Sequence, residues 1–556
     1  MAGGPKKPVN IFKHYATDAP KEIFNWRLWC AIVPFALMGA ARGIDEGLIN
    51  GVFTSPAFQD YLGIENKDPS DLANIKGNVV AMVNVGSIGG ALFAFLICDR
   101  IGRVWATRVL CILWSIGIAI FMANKGHLGA VYAGRLIAGL GIGQTTVVAP
   151  VYIAEIAPSS VRGACTCFFT GAVYIGVIIA YVANYGTSRS MPNSIGRWLL
   201  PTSVHLMFAI IIFALCFIFT YESPRYLVAV GQREKALVNL CKIRNLPPNH
   251  EYIEREMSDI ELSLAHEKEA TAGVGFAGLL KELFLTPSNF YRIYIGIGGQ
   301  LLSQWSGGPS ITIYASNLFA LVGVTGTEQS LLSTVVFGVV KFCSSMICAL
   351  FLVDIIGRKR SLLIGIALQT VSMAYVAAFL TKVPRIAEAG YHPSPSEARA
   401  GTGAIAFIYI SGVGWALGWN SMQYLLTAEL FPLRIRALSS SLVMCTHFAN
   451  AYGNSRAVPN MLLPTAQGGL GPAGTFFWMF AAITILGGFW VWVTIPETAG
   501  RSLETMDRVF GLPWHRIGLF GTREAERIDS LEAIEDEKVV VAKHIEEKRN
   551  TTAASQ

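Results

Sequence analysis

The chain has 556 residues, 53% of them hydrophobic and only 15% charged, where an average soluble domain carries roughly 25% charged residues. This composition excludes an ordinary water-soluble domain. The net charge of +7 comes without a basic patch interleaved with aromatics, so it does not indicate nucleic-acid binding.

The charges cluster, leaving apolar stretches of about 20 residues, the length that crosses a bilayer as a helix. Twelve spans are predicted, near 27–48, 77–97, 107–124, 129–150, 165–184, 200–220, 291–318, 328–353, 362–381, 403–426, 439–460 and 473–495. Only Asn124 to His127 separate the third from the fourth, so these two form a tight hairpin. The first apolar run follows about 26 polar residues and is long enough to span, so it is expected to stay as an anchor and not to be cleaved.

Basic residues mark the cytoplasmic loops. The N-terminal segment carries Lys6, Lys7, Lys13 and Lys21, the loop after span 2 Arg100, Arg103 and Arg108, and the loop after span 8 Arg358, Lys359 and Arg360. The loop after span 1 is acidic, with Asp60, Glu65, Asp68 and Asp71 against Lys67 and Lys76. Both termini are therefore expected in the cytoplasm. The expected division is a cytoplasmic segment 1–26, a six-helix bundle 27–220, a cytoplasmic stretch 221–290, a second bundle 291–510 and a charged tail 511–556. The middle stretch reads either as a solvated linker or as short helices that cap the inner gate. The ten cysteines lie mostly inside spans and form no Cys-x-x-Cys pair, so neither disulfides nor a metal site is expected.

A short charge pattern occurs twice at the same place relative to the spans. Asp99-Arg100-Ile101-Gly102-Arg103 returns as Asp354-Ile355-Ile356-Gly357-Arg358, and Glu155, Pro158 and Arg162 return as Glu429, Pro432 and Arg436. Glu222-Ser-Pro-Arg225 returns more loosely as Glu497-Thr-Ala-Gly-Arg501. A membrane protein built from two copies of one unit has a natural ligand site between them.

Gly134-Arg135-Leu-Ile-Ala-Gly139, PVYIAEIAPSSVRG from Pro150, ESPRYL from Glu222 and PETAGRSLE from Pro496 together resemble the signature set of the sugar porters, a family of the major facilitator superfamily. The resemblance runs from about residue 25 to 510, and lies nearest the fungal branch that includes quinate permeases. It implies an all-helical membrane fold of twelve spans in two pseudo-symmetric six-helix bundles, working by alternating access. Val104 stands where the family has a second basic residue, and Tyr221 replaces the usual proline before Glu222.

Charged groups at the inner helix ends are placed for a cytoplasmic gate that pairs across the bundles when the inside is closed. They are Asp99, Arg103, Glu155, Arg162, Glu222 and Arg225 in the first half, with Asp354, Arg358, Glu429, Arg436 and Glu497 in the second. Single surface pairs are worth about 0–1 kcal/mol, but a network can bias a two-state equilibrium. The alternative is ordinary topology charge.

Asp45 lies inside span 1, where a carboxylate is costly unless paired or neutral. It matches the acidic residue of the family's Gly-Tyr-Asp motif, with Ile44 in place of the tyrosine. The resemblance implies a proton carrier partnered by Arg135 of span 4. Two alternatives stand beside it, an Arg42–Asp45 structural bridge and Glu46 as the carrier.

The candidate substrate site departs from the family. Gln300 and Gln304 remain of its span 7 glutamines, while Ser303 and Pro309 replace the second glutamine and the asparagine. Thr170 stands at the usual span 5 glutamine, and span 10 offers Trp419, Asn420 and Tyr424. Tyr314 completes the span 7 candidates. This reduces the amide inventory for a neutral hexose. Lys341 in span 8 and His447 in span 11 go the other way. A lysine in mid-membrane needs an anion, and a substrate carboxylate would supply it; otherwise Lys341 snorkels or pairs within the protein. His447 reads as a hydrogen-bonded core histidine or as a proton relay. The expected function is a proton-coupled uptake symporter in the plasma membrane for a hexose, quinate or hexuronate. A proton-independent facilitator, an efflux carrier and a non-transporting nutrient receptor are the alternatives. The expected partners are a small-molecule substrate, protons and the lipid bilayer. No enzyme chemistry, cofactor, nucleic acid or obligate protein partner is expected.

Overall fold

The computed structural model describes residues 20–556, except 159–160, 272–274, 325, 353–355, 389–390, 421–429, 472, 498–502, 522, 525–526 and 528–556. The first bundle contains α1 (Trp26–Thr54), α2 (Pro69–Ile101), α3 (Arg103–Met122), α4 (Leu128–Ile156), α5 (Arg162–Ser190) and α6 (Gly196–Ile218). The middle stretch folds into four helices, α7 (Pro224–Ala229), α8 (Arg233–Arg244), α9 (Glu251–Thr271) and α10 (Phe276–Leu285). The second bundle contains α11 (Pro287–Gln304), α12 (Gly308–Ile313), α13 (Ala315–Leu321), α14 (Thr327–Ile347), α15 (Arg358–Lys382), α16 (Pro395–Trp415), α17 (Leu433–Met461) and α18 (Ala473–Thr494), and α19 (Leu503–Phe510) follows.

Local sequence explains several ends. The Asn25 Oδ1 accepts the amides of Arg27 and Leu28 at the start of α1, at 2.8 and 3.2 Å, satisfying donors that a helix terminus leaves open. Ser394 and Glu397 form a capping box on α16. The expected hairpin between α3 and α4 turns through Lys125 and Gly126, both at positive φ, with the Asn124 side chain accepting the Gly126 amide. Small residues set the closest helix approaches. A Cβ at Gly39 or Gly43 of α1 would strike the carbonyls of Phe169 or Val173 on α5. Gly86 and Gly139 bring α2 and α4 together in the same way.

Among the described residues, ten helices are long and apolar enough to cross a membrane, namely α1–α6, α14, α15, α16 and α18. The remaining two places of the twelve-helix arrangement go to helices that fail that test. The predicted span 291–318 is broken into α11, α12 and α13, with Gly307 left-handed at φ 85° at the first break. The other, α17, is continuous but polar, with Thr446, His447, Asn450, Asn454, Ser455, Arg456 and Asn460 along its length. The bundles meet along α2–α17 and α5–α14.

The middle helices tie the two bundles on one face, here called the linker face. Arg244 of α8 is buried, pairs with Glu256 of α9 and donates to the Ile156 carbonyl at the end of α4, at 2.9 Å. Glu282 of α10 pairs with Arg434 at the start of α17, at 3.2 Å.

Candidate functional site

A charge pair lies in the middle of the first bundle. Asp45 on α1 and Arg135 on α4 are 5% and 2% exposed. The guanidinium grips the carboxylate with two nitrogens, Nη1 on Oδ1 and Nη2 on Oδ2. It also donates to the Val79 and Val80 carbonyls of α2, at 3.0 and 3.3 Å. One arginine thus joins three helices. The fork geometry of Arg suits a bidentate carboxylate. Arg42 holds Glu46 at 2.7 Å, and its guanidinium lies 5.9 Å from the Phe448 ring of the other bundle.

The second bundle answers with neutral polar groups. Gln300 and Gln304 of α11 meet His447 of α17, all three buried. His447 Nδ1 lies 2.8 Å from Gln300 Oε1 and 3.3 Å from Gln304 Nε2. With the proton on Nδ1, donated to Gln300 at the shorter contact, Nε2 is left as an acceptor. That Nε2 is buried with no hydrogen-bond partner among the described residues. Asn454 of α17 spans the break after α11, donating to the Gln304 carbonyl at 2.6 Å and accepting from Ser310 Oγ at 2.8 Å. Tyr314 donates its hydroxyl to the Ser455 carbonyl at 2.7 Å. These contacts show what the break between α11 and α12 and the polar residues of α17 serve: they carry the lining of the interface.

Lys341 of α14 is 2% exposed. Its Nζ donates to Thr312 Oγ1 at 2.5 Å and lies 5.1 to 5.5 Å from the rings of Tyr174, Phe337 and Trp415. Among the described residues no carboxylate comes within ion-pairing distance, and the opposite charge it feels is Glu46, itself held by Arg42. An ammonium desolvated this way costs several kcal/mol, and ring faces return about 2 kcal/mol or more when desolvated. Trp415 Nε1 donates to Tyr174 Oη at 2.9 Å, so this aromatic cage closes across the bundle interface.

The structure redistributes the other candidates. Trp419 points into its own bundle, against Gly487 of α18, and is not a stacking surface between the bundles. Trp415, one turn earlier, takes that place. Asn420 donates to Ser345 Oγ at 3.1 Å. Thr170 is half-buried on α5, one turn before Tyr174. Tyr424 lies outside the described residues. Sequence reasoning missed Tyr174, Thr312, Trp415 and Asn454. Only the last left a signal, a polar stripe at 447, 450 and 454 with helical spacing on one face of α17.

At the linker face the contacts described for the gate residues lie within a bundle or to the linker helices. Arg103 binds Glu155 at 2.8 Å and Asp99 at 3.0 Å. The Glu222 carboxylate accepts the backbone amides of Arg103 and Val104, and Arg225 pairs with Glu267 of α9. Glu497 repeats the Glu222 contact, accepting the amides of Arg358 and Lys359 at 2.8 and 3.2 Å. A carboxylate at these amides caps the first turn of α3 or α15 and suits its dipole. Burial pushes the Glu222 carboxyl above its ordinary range, against the pull of the amides. Asp354 and Glu429 lie outside the described residues, as do the side chains of Arg162 and Arg436.

Cross-bundle polar contacts run from mid-membrane toward the face opposite the linker. Tyr181 of α5 donates to the Thr312 carbonyl, Asn50 of α1 to Ser316 Oγ at 3.0 Å, and Lys76 of α2 to Asn317 Oδ1 at 3.1 Å. Arg456 and Asn460 of α17 both donate to Asn74 of α2, at 2.8 and 3.2 Å.

Residues 31–510 match the family described as sugar (and other) transporter. A probable quinate permease of Aspergillus flavus is 30% identical over 498 residues, covering 88% of this chain and 89% of its own length. The quinate permease of Emericella nidulans is 30% identical over 503 residues, covering 89% and 91%. Among solved structures, the proton:xylose symporter XylE bound to 6-bromo-6-deoxy-D-glucose aligns with a TM-score of 0.69 at 24% identity, over 87% of this chain and 99% of that one. The partially occluded inward-open form of the E. coli xylose transporter aligns with a TM-score of 0.68 at 22% identity, over 86% and 100%. The fold is that of the major facilitator superfamily, and the chain belongs to its sugar transporter family.

Proposed function

We propose that the protein is a proton-coupled symporter that imports a polyhydroxylated carboxylate, quinate or a hexuronate, across the plasma membrane, with the linker face and both termini in the cytoplasm. The observation that carries the carboxylate is Lys341, a buried ammonium held by one hydroxyl and three ring faces. A substrate carboxylate relieves that desolvation. The curated relatives named quinate permeases support the same class. The bare His447 Nε2 is suited to accept a substrate hydroxyl, and the Tyr174 and Trp415 rings to cover a ring face. These neutral and aromatic groups provide for the polyol part of the ligand.

Asp45 and Arg135 supply the coupling. Protonation of Asp45 turns a bidentate ion pair into a hydrogen bond from the guanidinium to a neutral carboxyl and loosens the tie between α1, α2 and α4. Proton and substrate shift the equilibrium between the two faces only through such differences in contact. The substrate carboxylate and the proton then enter together, which limits the net charge carried through the membrane.

The test is uptake of labelled quinate, galacturonate and glucose into cells lacking their own carriers, at several external pH values. Acid-stimulated uptake of an acid is expected. Asp45→Asn should abolish the acid stimulation. Lys341→Ala should raise the KM for the acid by about 10- to 100-fold, the worth of a hydrogen bond to a charged group. External pH also titrates the substrates, so the variants are the needed control. Uptake of glucose alone, unchanged in Lys341→Ala, would sink the carboxylate reading.

A further inference from the structure

A polar cleft of about 430 Å³ opens between the bundles at the face opposite the linker helices. Its walls come from α1, α5, α6, α13 and α14, with Thr54, Ser55, Asn184, Arg197, Ser316 and Ser330 among the lining residues. Arg197, at the start of α6, is the one charged residue among the described lining, and it makes no ion pair there; its Nη2 donates to Ser188 Oγ at 2.8 Å. Ser55 is 8% exposed, and its hydroxyl has no hydrogen-bond partner among the described residues. At the floor, Asn50 donates to Ser316, while Asn50 Oδ1 is buried and also without a partner. Lys76 lies behind the wall, on Asn317. The facing charges at the rim are Arg189, bonded to Tyr185, and Glu328, which Arg189 feels.

We propose that this cleft is a second, outer binding site for the carboxylated polyol, where Arg197 takes the carboxylate and the unpartnered Ser55 and neighbouring hydroxyl and amide groups take the ring hydroxyls. The class of ligand rests on the function proposed above. The cleft itself stands on its own chemistry: one cation free of ion pairs among hydroxyls and amides, with no lining carboxylate among the described residues. Its floor adjoins the inner site through the chain. Ser316 lies four residues after Thr312, whose hydroxyl holds Lys341 and whose carbonyl receives Tyr181. A carboxylate leaving Arg197 therefore meets Lys341 once the Tyr181–Thr312 and Asn50–Ser316 contacts part. Two cations in series, one half-exposed and one buried, give an anion a graded approach, and the exposed one acts mainly on the rate of capture.

Two measurements on the full chain test this. In the first, Arg197→Gln should raise the KM for labelled quinate about 3- to 10-fold at low ionic strength with little change in maximal rate, the loss shrinking as salt shortens the Debye length to about 3 Å near 1 M. In the second, Thr54→Cys places a thiol on the cleft wall, with the unsubstituted chain as background for the native cysteines. An anionic methanethiosulfonate should label it faster than a cationic one, Arg197→Gln should reverse that preference, and quinate should protect. An unchanged KM together with an unchanged reagent preference overturns the proposal. If wild-type cells take up no quinate but the reagent preference follows Arg197, the cleft stands as an anion site and the quinate reading falls. If quinate uptake depends on Lys341 while both Arg197 measurements are flat, the cleft alone falls.

Discussion

At the linker face, Glu222 reaches past Gly102 to the amides that open α3, and Glu497 reaches past Gly357 to those that open α15, at the same 2.8–2.9 Å. Half a membrane away the two bundles hold different solutions. The first buries a charge pair, Asp45 with Arg135, and the second a neutral cluster, His447 with Gln300 and Gln304. The likeness sits where helices must begin at a fixed angle in either half. The difference sits where the ligand and the proton are proposed to bind. The two halves share their joints and differ in the polar chemistry they bury.

The largest expected effect breaks the mid-membrane contrast. Arg135→Gln leaves Asp45 buried without its cation, and stranding one member of a buried pair costs about 3–5 kcal/mol. His447→Ala strands only neutral amides, at about 1–3 kcal/mol. Unfolding of the purified full chain in detergent should therefore rank Arg135→Gln well below His447→Ala. Asp45→Asn combined with Arg135→Gln should recover much of the loss, because it removes the stranded charge. Equal losses in the two single variants would show that the charge pair is no more than another polar contact.

The next effect tests the likeness at the linker face. Gly102 and Gly357 have φ of 92° and 97°, a region that costs a side chain about 1–3 kcal/mol. An added Cβ would also lie 2.5 Å from the Glu222 carboxylate or 2.6 Å from that of Glu497. Gly102→Ala and Gly357→Ala should each destabilise the chain, and by similar amounts. A large loss in one with none in the other would mean that the repeated geometry does not carry repeated energetics.

These same joints were legible in the sequence, because a repeated Asp-x-x-Gly-Arg run at a span end is a local signal. The twelve spans were nearly as plain, since hydropathy alone marks ten of them. The two that needed more were the broken α11–α13 and the polar α17, whose departures from an apolar run are the marks of a lining. Direction within a helix was not legible. Trp415 and Trp419 are one turn apart, yet one faces Tyr174 across the interface and the other Gly487 inside the bundle, because the chain departs from regular α-geometry at Gly418 between them. The partners of the gate charges were not legible either. Glu155 and Arg103 are 52 residues apart in sequence, and only the packing of α2, α3 and α4 decides that they meet within one bundle.

The smallest effect separates two jobs of Glu222. Burial raises its pKa above the ordinary carboxylate value of 4.5, although the amides of Arg103, Val104 and Ser223 pull it down. A raised pKa in the folded state means that folding favours the protonated form. The stability this gives is full below the ordinary value and is lost as pH rises through the raised one. At neutral pH the carboxylate is therefore held at some cost, and Glu222→Gln, which keeps an acceptor for the amides without the charge, should be slightly more stable than the parent. The gain should vanish as the pH falls below 4.5. Glu222→Ala removes the acceptor as well and should lose about 0.5–2 kcal/mol, the worth of a helix cap. Melting curves of the three proteins from neutral to acid pH decide it. A Glu222→Gln variant less stable than the parent at neutral pH would show that the three amides outweigh burial, and that the charge itself fastens α3 to the linker face.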